Sequence, residues 1–438
     1  MTAPSSIDQV RQDSHQPQWG LASRVAFRFC FVYFGLFAVG DMVGALLPFL
    51  IKVDDEVGLA TLWPMRDITF WTAAHIFGAK LPLVFRNSGS DDKTFDWVFA
   101  FCLLVFAVLA TGLWSALDRR RENFVTAHKW FRVFIRLVLA SELFLFGMAK
   151  VIPNQMPIPS FSALLTPFGN LSRYQLLWAS IGASPAYEIF AGSAEVLAGI
   201  LLIFPRTTML GALLGVVDMT EVLMLNMTYD VPVKLFSFHL LLIACFLLAP
   251  DFRRLADFTL RNRAVGPAAQ TQLFNTRRAN RYALATQVLL GIWLLGMNTY
   301  AGWARWHETG GGRPKSPLYG IWTVDELSLD GQLRSPLLVD SDRWRRVVFD
   351  LPNRMILQRV DDSLIRYSAS INLDEKTIAL TKNADKSWKA NFAFQHARED
   401  QLILDGEMDN HKIHVRLGLV DNSKLRLLNH GFHWIQEY

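Results

Sequence analysis

Eight ionisable side chains lie inside or at the ends of stretches that are otherwise apolar: Glu142, Lys150, Glu188, Glu195, Asp218, Glu221, Lys234 and His239. A ninth, Asp41, sits in the first such stretch. An ionisable group at membrane depth costs several kcal/mol unless it is paired, hydrated or neutralised, so each of these positions demands a partner or a purpose. The acids outnumber the bases at the same depth, and either some carboxyls stay protonated or water reaches them from one side. Both readings permit proton handling by an intramembrane polar pocket. The alternative is that Glu142, Lys150, Glu195, Asp218 and His239 satisfy one another and set helix register.

Helical spacing groups several of them. Glu188 and Glu195 are seven residues apart and share a stripe with Ala191, Gly192 and Ala198, which must face protein. Gly211, Gly215 and Asp218 fall at i, i+4 and i+7, and the first two form a GxxxG that permits close helix approach. Cys30, Cys102 and Cys245 all lie within apolar runs and show no metal-ligand spacing, so they read as small apolar residues. No metal site is expected. His411 with His414, and His430 with His433, are spaced three apart, which in a strand directs the two rings to opposite faces.

The elements that must hold these groups are long apolar helices. About 20 apolar residues are needed to cross the hydrocarbon core, and seven runs qualify, near 25–51, 95–117, 131–152, 187–204, 207–227, 233–250 and 282–302. The loop 118–130 carries Arg119, Arg120, Arg121 and Lys129, and the loop 251–281 carries seven arginines, whereas 153–186 and 228–232 hold Arg173 alone. The positive-inside rule then places the N-terminal tail, 1–24, in the cytoplasm and exports everything after the seventh span of a multi-pass protein of the cell membrane. The first run is too long for a cleavable signal core and reads as an anchor. Residues 70–85 are moderately apolar and read as an interfacial helix.

Composition changes near Gly310. From Lys315 onward the chain has 17 Lys plus Arg against 18 Asp plus Glu, leaving 27 against 21 before it, so the formal charge of +5 resides in the helical part. Basic residues gathered in a few loops suit an anionic leaflet and exclude nucleic acid as a partner. Residues 303–314, with three glycines and Pro314, read as a flexible linker. In 315–438, short alternating segments at 344–349, 363–371, 377–381, 388–395, 401–408, 411–419, 424–428 and 432–437 read as strands, with turn signals at Asp330-Gly331, Asp405-Gly406 and Asp421-Asn422. An all-β antiparallel domain follows, closed as a barrel or folded as a sandwich.

The stretch Arg136-Leu-Val-Leu-Ala-Ser-Glu142-Leu-Phe-Leu-Phe-Gly147-Met-Ala-Lys150 resembles the first-helix signature of DoxX-like membrane proteins. Glu195-Val-Leu-Ala-Gly199, the basic turn Arg206-Thr207, and Asp230-Val-Pro-Val-Lys234 running through His239 to Arg254 are similar to later elements of that family. The resemblance covers 131–256 and implies a four-helix bundle at the centre. Some members resemble subunits that pass electrons from sulfur compounds to quinone, and others associate with membrane oxidative-stress systems. This chain departs by three additional spans, a β domain, and Pro205 where Gly is more usual.

Two functions follow as expectations. One is a redox-linked membrane component with a quinone-like cofactor between helices in the outer half of the bilayer and a membrane redox partner. The other is a non-enzymatic, membrane-anchored scaffold whose β domain captures an extracytoplasmic protein or ligand. A transporter would use the same acids but lacks an obvious inverted repeat. No nucleophile–base pair, phosphate loop, haem motif or dinucleotide fingerprint assigns a reaction.

Overall fold

The structure is a computed structural model that describes residues 18–438 except 51–58, 86–89, 267–271, 338, 339, 383, 386, 430, 432, 436 and 438; within the first helix, side chains are described as far as residue 40. The expectations for residues 1–17, and those for Asp41 and His430, lie outside the described residues; of the strand expected at 432–437, residues 432 and 436 lie outside them and the other four form no strand. The chain divides into two compact units. The first comprises 1–148 and 192–298, and the second 149–191 and 299–438.

The first unit is helical: α1 (Leu21–Leu50), α2 (Met65–His75), α3 (Thr94–Leu117), α4 (Val125–Val151, to residue 148), α7 (Pro185–Ile203, from residue 192), α8 (Thr208–Thr228), α9 (Lys234–Leu248), α10 (Phe252–Thr259) and α11 (Arg277–Glu308, to residue 298). Among the described residues six helical stretches are long and apolar enough to cross a membrane: α1, α3, α7, α8, α9 continued through α10 (Lys234–Thr259), and α11. Helix α4, with 27 residues, has the length but carries Arg132, Arg136, Glu142 and Lys150. It can carry them because it is central. From Ile135 to Met148 it is buried on nearly every side, with Leu145 the conspicuous exposed apolar residue. Helix α3 is peripheral and exposes Leu104, Phe106, Val108, Leu109 and Leu113, a surface suited to lipid.

Helix α2 has 11 residues, about 16 Å at the usual rise, half of what a crossing requires. It begins earlier and ends sooner than the 70–85 expected. Its small-residue face packs on α3, with Cys102 Sγ 3.5 Å from Thr72 Oγ1 and the Phe70 and Phe95 rings 5.6 Å apart.

The loops sort into two ends. At one end, the Trp19 amide donates to Glu122 O (3.0 Å), Arg24 to Arg121 O (2.8 Å), Lys129 to Gln272 O (3.2 Å) and Arg132 to Leu247 O (3.0 Å). At the other, the Asp91 amide donates to Pro232 O (2.9 Å), and the Asp92 carboxylate accepts from the amides of Lys234 (2.8 Å) and Leu235 (2.9 Å), capping α9 where its N-terminal dipole favours an anion.

The second unit is built on nine antiparallel strands: β1 (Gly320–Leu329), β2 (Gln332–Leu333), β3 (Trp344–Leu351), β4 (Arg354–Arg359), β5 (Leu364–Asn372), β6 (Thr377–Thr381), β7 (Lys389–Arg398), β8 (Gln401–Met408) and β9 (His411–Leu419). Each strand from β3 to β9 pairs with the next, and β1 joins β3 on one side and β9 on the other, from Trp322↔Leu419 to Leu329↔Ile413. Since β2 pairs with β1 alone, eight strands close a barrel. The choice between barrel and sandwich is thereby decided. Closure removes the unpaired edges that an open sheet exposes.

Two turn signals read differently in three dimensions. Asp330-Gly331 does turn β1 into β2, both residues having positive φ (50° and 80°). Asp405-Gly406 does not turn: it lies within β8, where a Cβ on Gly406 would collide with Asn391 O and the Phe392 ring. The β8–β9 turn is Asp409-Asn410, with φ of 53° and 65°. The strand expected at 424–428 is replaced by a helical turn, Asn422–Lys424, and α12 (Arg426–Asn429), started by the Asp421 side chain accepting from the Ser423 amide. Strand β4 shows no alternation in the sequence because its four central positions are all buried.

The segment before α7 belongs to this unit. It contains α5 (Phe161–Leu165) and α6 (Arg173–Gly182). Phe161, Leu164 and Leu165 cover the outer wall of the barrel at Ile321, Val348 and Ile356, and Gln358 donates to Leu165 O (3.3 Å). The expected linker is also ordered differently. Helix α11 continues to Glu308, and Gly310 to Gly312 fold back against the Trp306 ring.

Candidate functional site

The stripe on α7 faces protein for most of its length. Glu188, Gly192, Glu195 and Ala198 are buried and Ala191 is half-buried, while Ile189, Phe190 and Leu197 on the opposite side are exposed. Gly147 on α4 and Gly199 on α7 allow the two helices to touch. A Cβ on Gly147 would lie 3.0 Å from Gly192 O, and one on Gly199 would meet Phe144 and, at 3.3 Å, Ala140 O. The GxxxG of α8 is buried too, with Gly211 against the backbone of Leu201 and Leu202. Asp218 is half-buried, and Glu221 is exposed.

His239 is the best-defined polar group of the helical unit. It is 3% exposed. Its Nδ1 lies 2.7 Å from Leu235 O, an atom that can only accept, so Nδ1 carries the hydrogen. Nε2 is then an acceptor in the neutral ring and takes the hydroxyl hydrogen of Tyr33 on α1 at 2.7 Å. Phe37 stacks on the imidazole at 4.4 Å and 7°, with Tyr33 at 5.7 Å and 21°. Ring contacts between α4 and α9, Phe131–Phe246 at 5.5 Å and Phe146–Phe236 at 6.0 Å, bracket Glu142 on the one and His239 on the other. Glu142 and Glu195 are buried.

The remaining candidates have partners of their own. Glu188 Oε1 accepts from the Met156 amide (2.9 Å), and the Lys150 ammonium acts on it electrostatically. Both belong to the second unit and tie the start of α7 to the segment after α4. Lys234 bridges Asp230 (2.8 Å) and Asp92 (3.5 Å). Lys150 and Glu188 belong to the second unit, and Glu142, Glu195, Asp218, Glu221, Lys234 and His239 to the first.

Three further buried polar groups belong to the helical unit. Tyr33 gives no signal in the sequence, since an aromatic is ordinary in an apolar run. Arg28 is 2% exposed, donates to Ser115 Oγ (3.0 Å) and Asp118 O (2.8 Å), and lies over the Phe124 ring at 4.9 Å, closing the C-terminal end of α3. Arg136 is 5% exposed and donates to Thr208 Oγ1 (3.0 Å) and to Gln287 Oε1 on α11. Its place beside an otherwise unremarkable Gln in the last span could not be inferred from spacing.

In the barrel, the Trp322, Phe349, Phe392, Phe394, Leu404 and Leu417 side chains fill the interior. His414 Nδ1 pairs with Asp405 at 2.5 Å and His411 Nδ1 with Asp330 at 2.7 Å. The two histidines thus engage different partners. Among the described residues no cluster of three or more His, Cys, Asp or Glu is arranged to hold a metal.

Long apolar helices and a closed β-barrel define this chain as a polytopic membrane protein with a C-terminal β domain. No family model and no solved structure matches it. It is 32% identical over 121 residues to the uncharacterized protein YwoB of Bacillus subtilis (strain 168), a match that spans 27% of this chain and 75% of that protein. The chain belongs to the same family as YwoB.

Proposed function

We propose that this is a DoxX-like, multi-spanning component of the cytoplasmic membrane that takes a quinone-class ligand at an intramembrane polar site, with its N-terminus inside and its barrel outside. The observation that carries the ligand assignment is the buried Tyr33–His239 pair within a stack of aromatic rings. A flat quinone ring suits aromatic neighbours, and its carbonyl can accept the hydroxyl hydrogen that Tyr33 now gives to Nε2. In this reading Glu142, buried on α4, relays the proton.

The orientation draws support from parity. Four spans, α7, α8, α9 and α11, separate the segment 153–186 from the barrel, so both emerge on one side, and both belong to one compact unit. The opposite end collects Arg119, Arg120, Arg121 and the arginines of 251–281, the side that the positive-inside rule assigns to the cytoplasm. The test is organic extraction of the detergent-purified full-length protein and ultraviolet and mass spectra of the extract. Quinone at near-unit stoichiometry, lost in Tyr33→Phe and His239→Leu, supports the reading; wild-type protein without quinone refutes it.

A second reading, the membrane-anchored scaffold, is favoured by the filled barrel. With its interior occupied by side chains, the barrel recognises a partner through its outer surface. Cross-linking from exposed barrel positions of the full-length protein to one defined extracytoplasmic protein, in preparations devoid of quinone, would favour this reading over the first.

A further inference from the structure

The arginine-rich loop after α9 contains a short helix whose two faces differ sharply. On α10, Phe252, Leu255, Ala256, Phe258 and Thr259 fall on one arc and Arg253, Arg254 and Asp257 on the other. Leu255 packs against the bundle core. Phe252 and Phe258, 65% and 66% exposed, do not. A helical turn, Ala249–Asp251, joins α10 directly to α9, and Asp251 lies 3.8 Å from Arg132, so the helix is held at the end of a span. Downstream, Arg261, Arg263, Arg277, Arg278 and Arg281 are exposed. Residues 251–281 hold seven arginines and two acids, Asp251 and Asp257, a net charge of 7 − 2 = +5. Arg261 is engaged by Asp257 at 2.8 Å. The Phe274 ring, against Trp130 at 5.5 Å, anchors the returning chain on α4.

We propose that α10 and the surrounding arginines form a docking surface for anionic phospholipid, the phenylalanines entering the acyl boundary and the guanidinium groups holding the phosphates. The proposal rests on reading the helical unit as membrane-embedded and names the lipid that its basic end selects. Two observations point to lipid as the occupant. Helix α10 follows α9 without a break and leaves Phe252 and Phe258 exposed, and the segment that carries it has a net positive charge, the combination that suits an anionic bilayer surface.

The experiment uses the full-length protein reconstituted in vesicles of phosphatidylcholine and phosphatidylglycerol in equal amounts, then released into mild detergent for native mass spectrometry. Retained phosphatidylglycerol in excess over phosphatidylcholine is the expected result. Removing arginines by Arg261→Gln, Arg263→Gln, Arg277→Gln and Arg278→Gln should weaken retention by about fivefold per residue; the same positions changed to Lys should keep most of it, which separates lost charge from lost fold. Phe258→Ser should reduce retention with the charge intact. Equal retention of the two lipids, no change in the Gln variant, or equal loss in the Gln and Lys variants would overturn the proposal. So would displacement of the lipid by millimolar inorganic phosphate, which would mark a site for free anions. Membrane-impermeant labelling of the loop from outside intact cells would overturn the orientation, and lipid selectivity in mixed vesicles would still be read separately.

Discussion

In the barrel, the buried positions of β6 to β9 alternate along each strand, with Ile378, Leu380, Phe392, Leu404 and Val415 inside and more exposed neighbours between them, among them Asn391, Asp405 and Arg416. In the helical unit, the buried set of α4 includes Arg136 and Glu142 beside Leu139 and Leu143, and large apolar residues of α3 face outward. The barrel separates apolar from polar because water surrounds it, and burial of apolar area is what holds it together. Helices in lipid gain little by hiding Leu from acyl chains, so close backbone contact and hydrogen bonds must specify how they pack. The glycines at α4–α7 and the Tyr33–His239 and Arg136–Thr208 bonds are those specifying contacts.

The sharpest way to break this contrast is a large truncation inside the barrel. Phe392→Ala should cost about 3–5 kcal/mol of barrel stability, visible as loss of the near-ultraviolet signal of the β domain on heating while helix content persists. A cost below 1 kcal/mol would mean that the barrel is not held by its core. In the helical unit the corresponding insertion, Gly147→Leu, should force α4 from α7, since its Cβ would already lie 2.8 Å from Val196 Cγ2. Overpacking of this kind costs about 1–3 kcal/mol, measurable as an earlier unfolding midpoint in mixed micelles.

A smaller effect is expected from Tyr33→Phe, which removes one hydrogen bond without leaving a cavity and should cost about 0.5–1.5 kcal/mol. His239→Leu should exceed it, because the Tyr33 hydroxyl and the Leu235 carbonyl both lose a partner; equal effects would argue against the assigned tautomer. The smallest effect concerns the barrel surface. The His411 ring and the Lys412 amide hold the Asp330 carboxyl below its ordinary value. A depressed acid contributes stability above its unfolded-state pKa and loses it as pH falls through the folded-state value, so the β1–β2 turn should loosen below roughly pH 4. Asp330→Asn should flatten this part of a pH–melting curve.

Much of this architecture was legible in the residues. Long apolar runs marked the spans, and the alternation of 401–408 and 411–419 matched β8 and β9 to the residue. Of the α7 stripe, Glu188, Gly192, Glu195 and Ala198 are buried and Ala191 half-buried, as the spacing required of a face turned to protein. Legibility failed where a local signal had a second use. Gly406 looked like a turn residue and serves close strand approach, and β4 hid its strand character because both of its faces are covered. At the candidate site, the charged members were visible as outliers in apolar sequence, but Tyr33 and Gln287 were not, since neither type is unusual where it stands.

Chain order alone determined which solvent each half of this protein requires, because the free energy of placing a residue in lipid or in water depends on its own side chain and its near neighbours. Tertiary structure decided which distant groups meet: Tyr33 with His239, Arg136 with Gln287, β1 with β9, and Phe161 with the barrel wall. Those pairings depend on how helices and strands dock, which many residues fix jointly and no local pattern encodes.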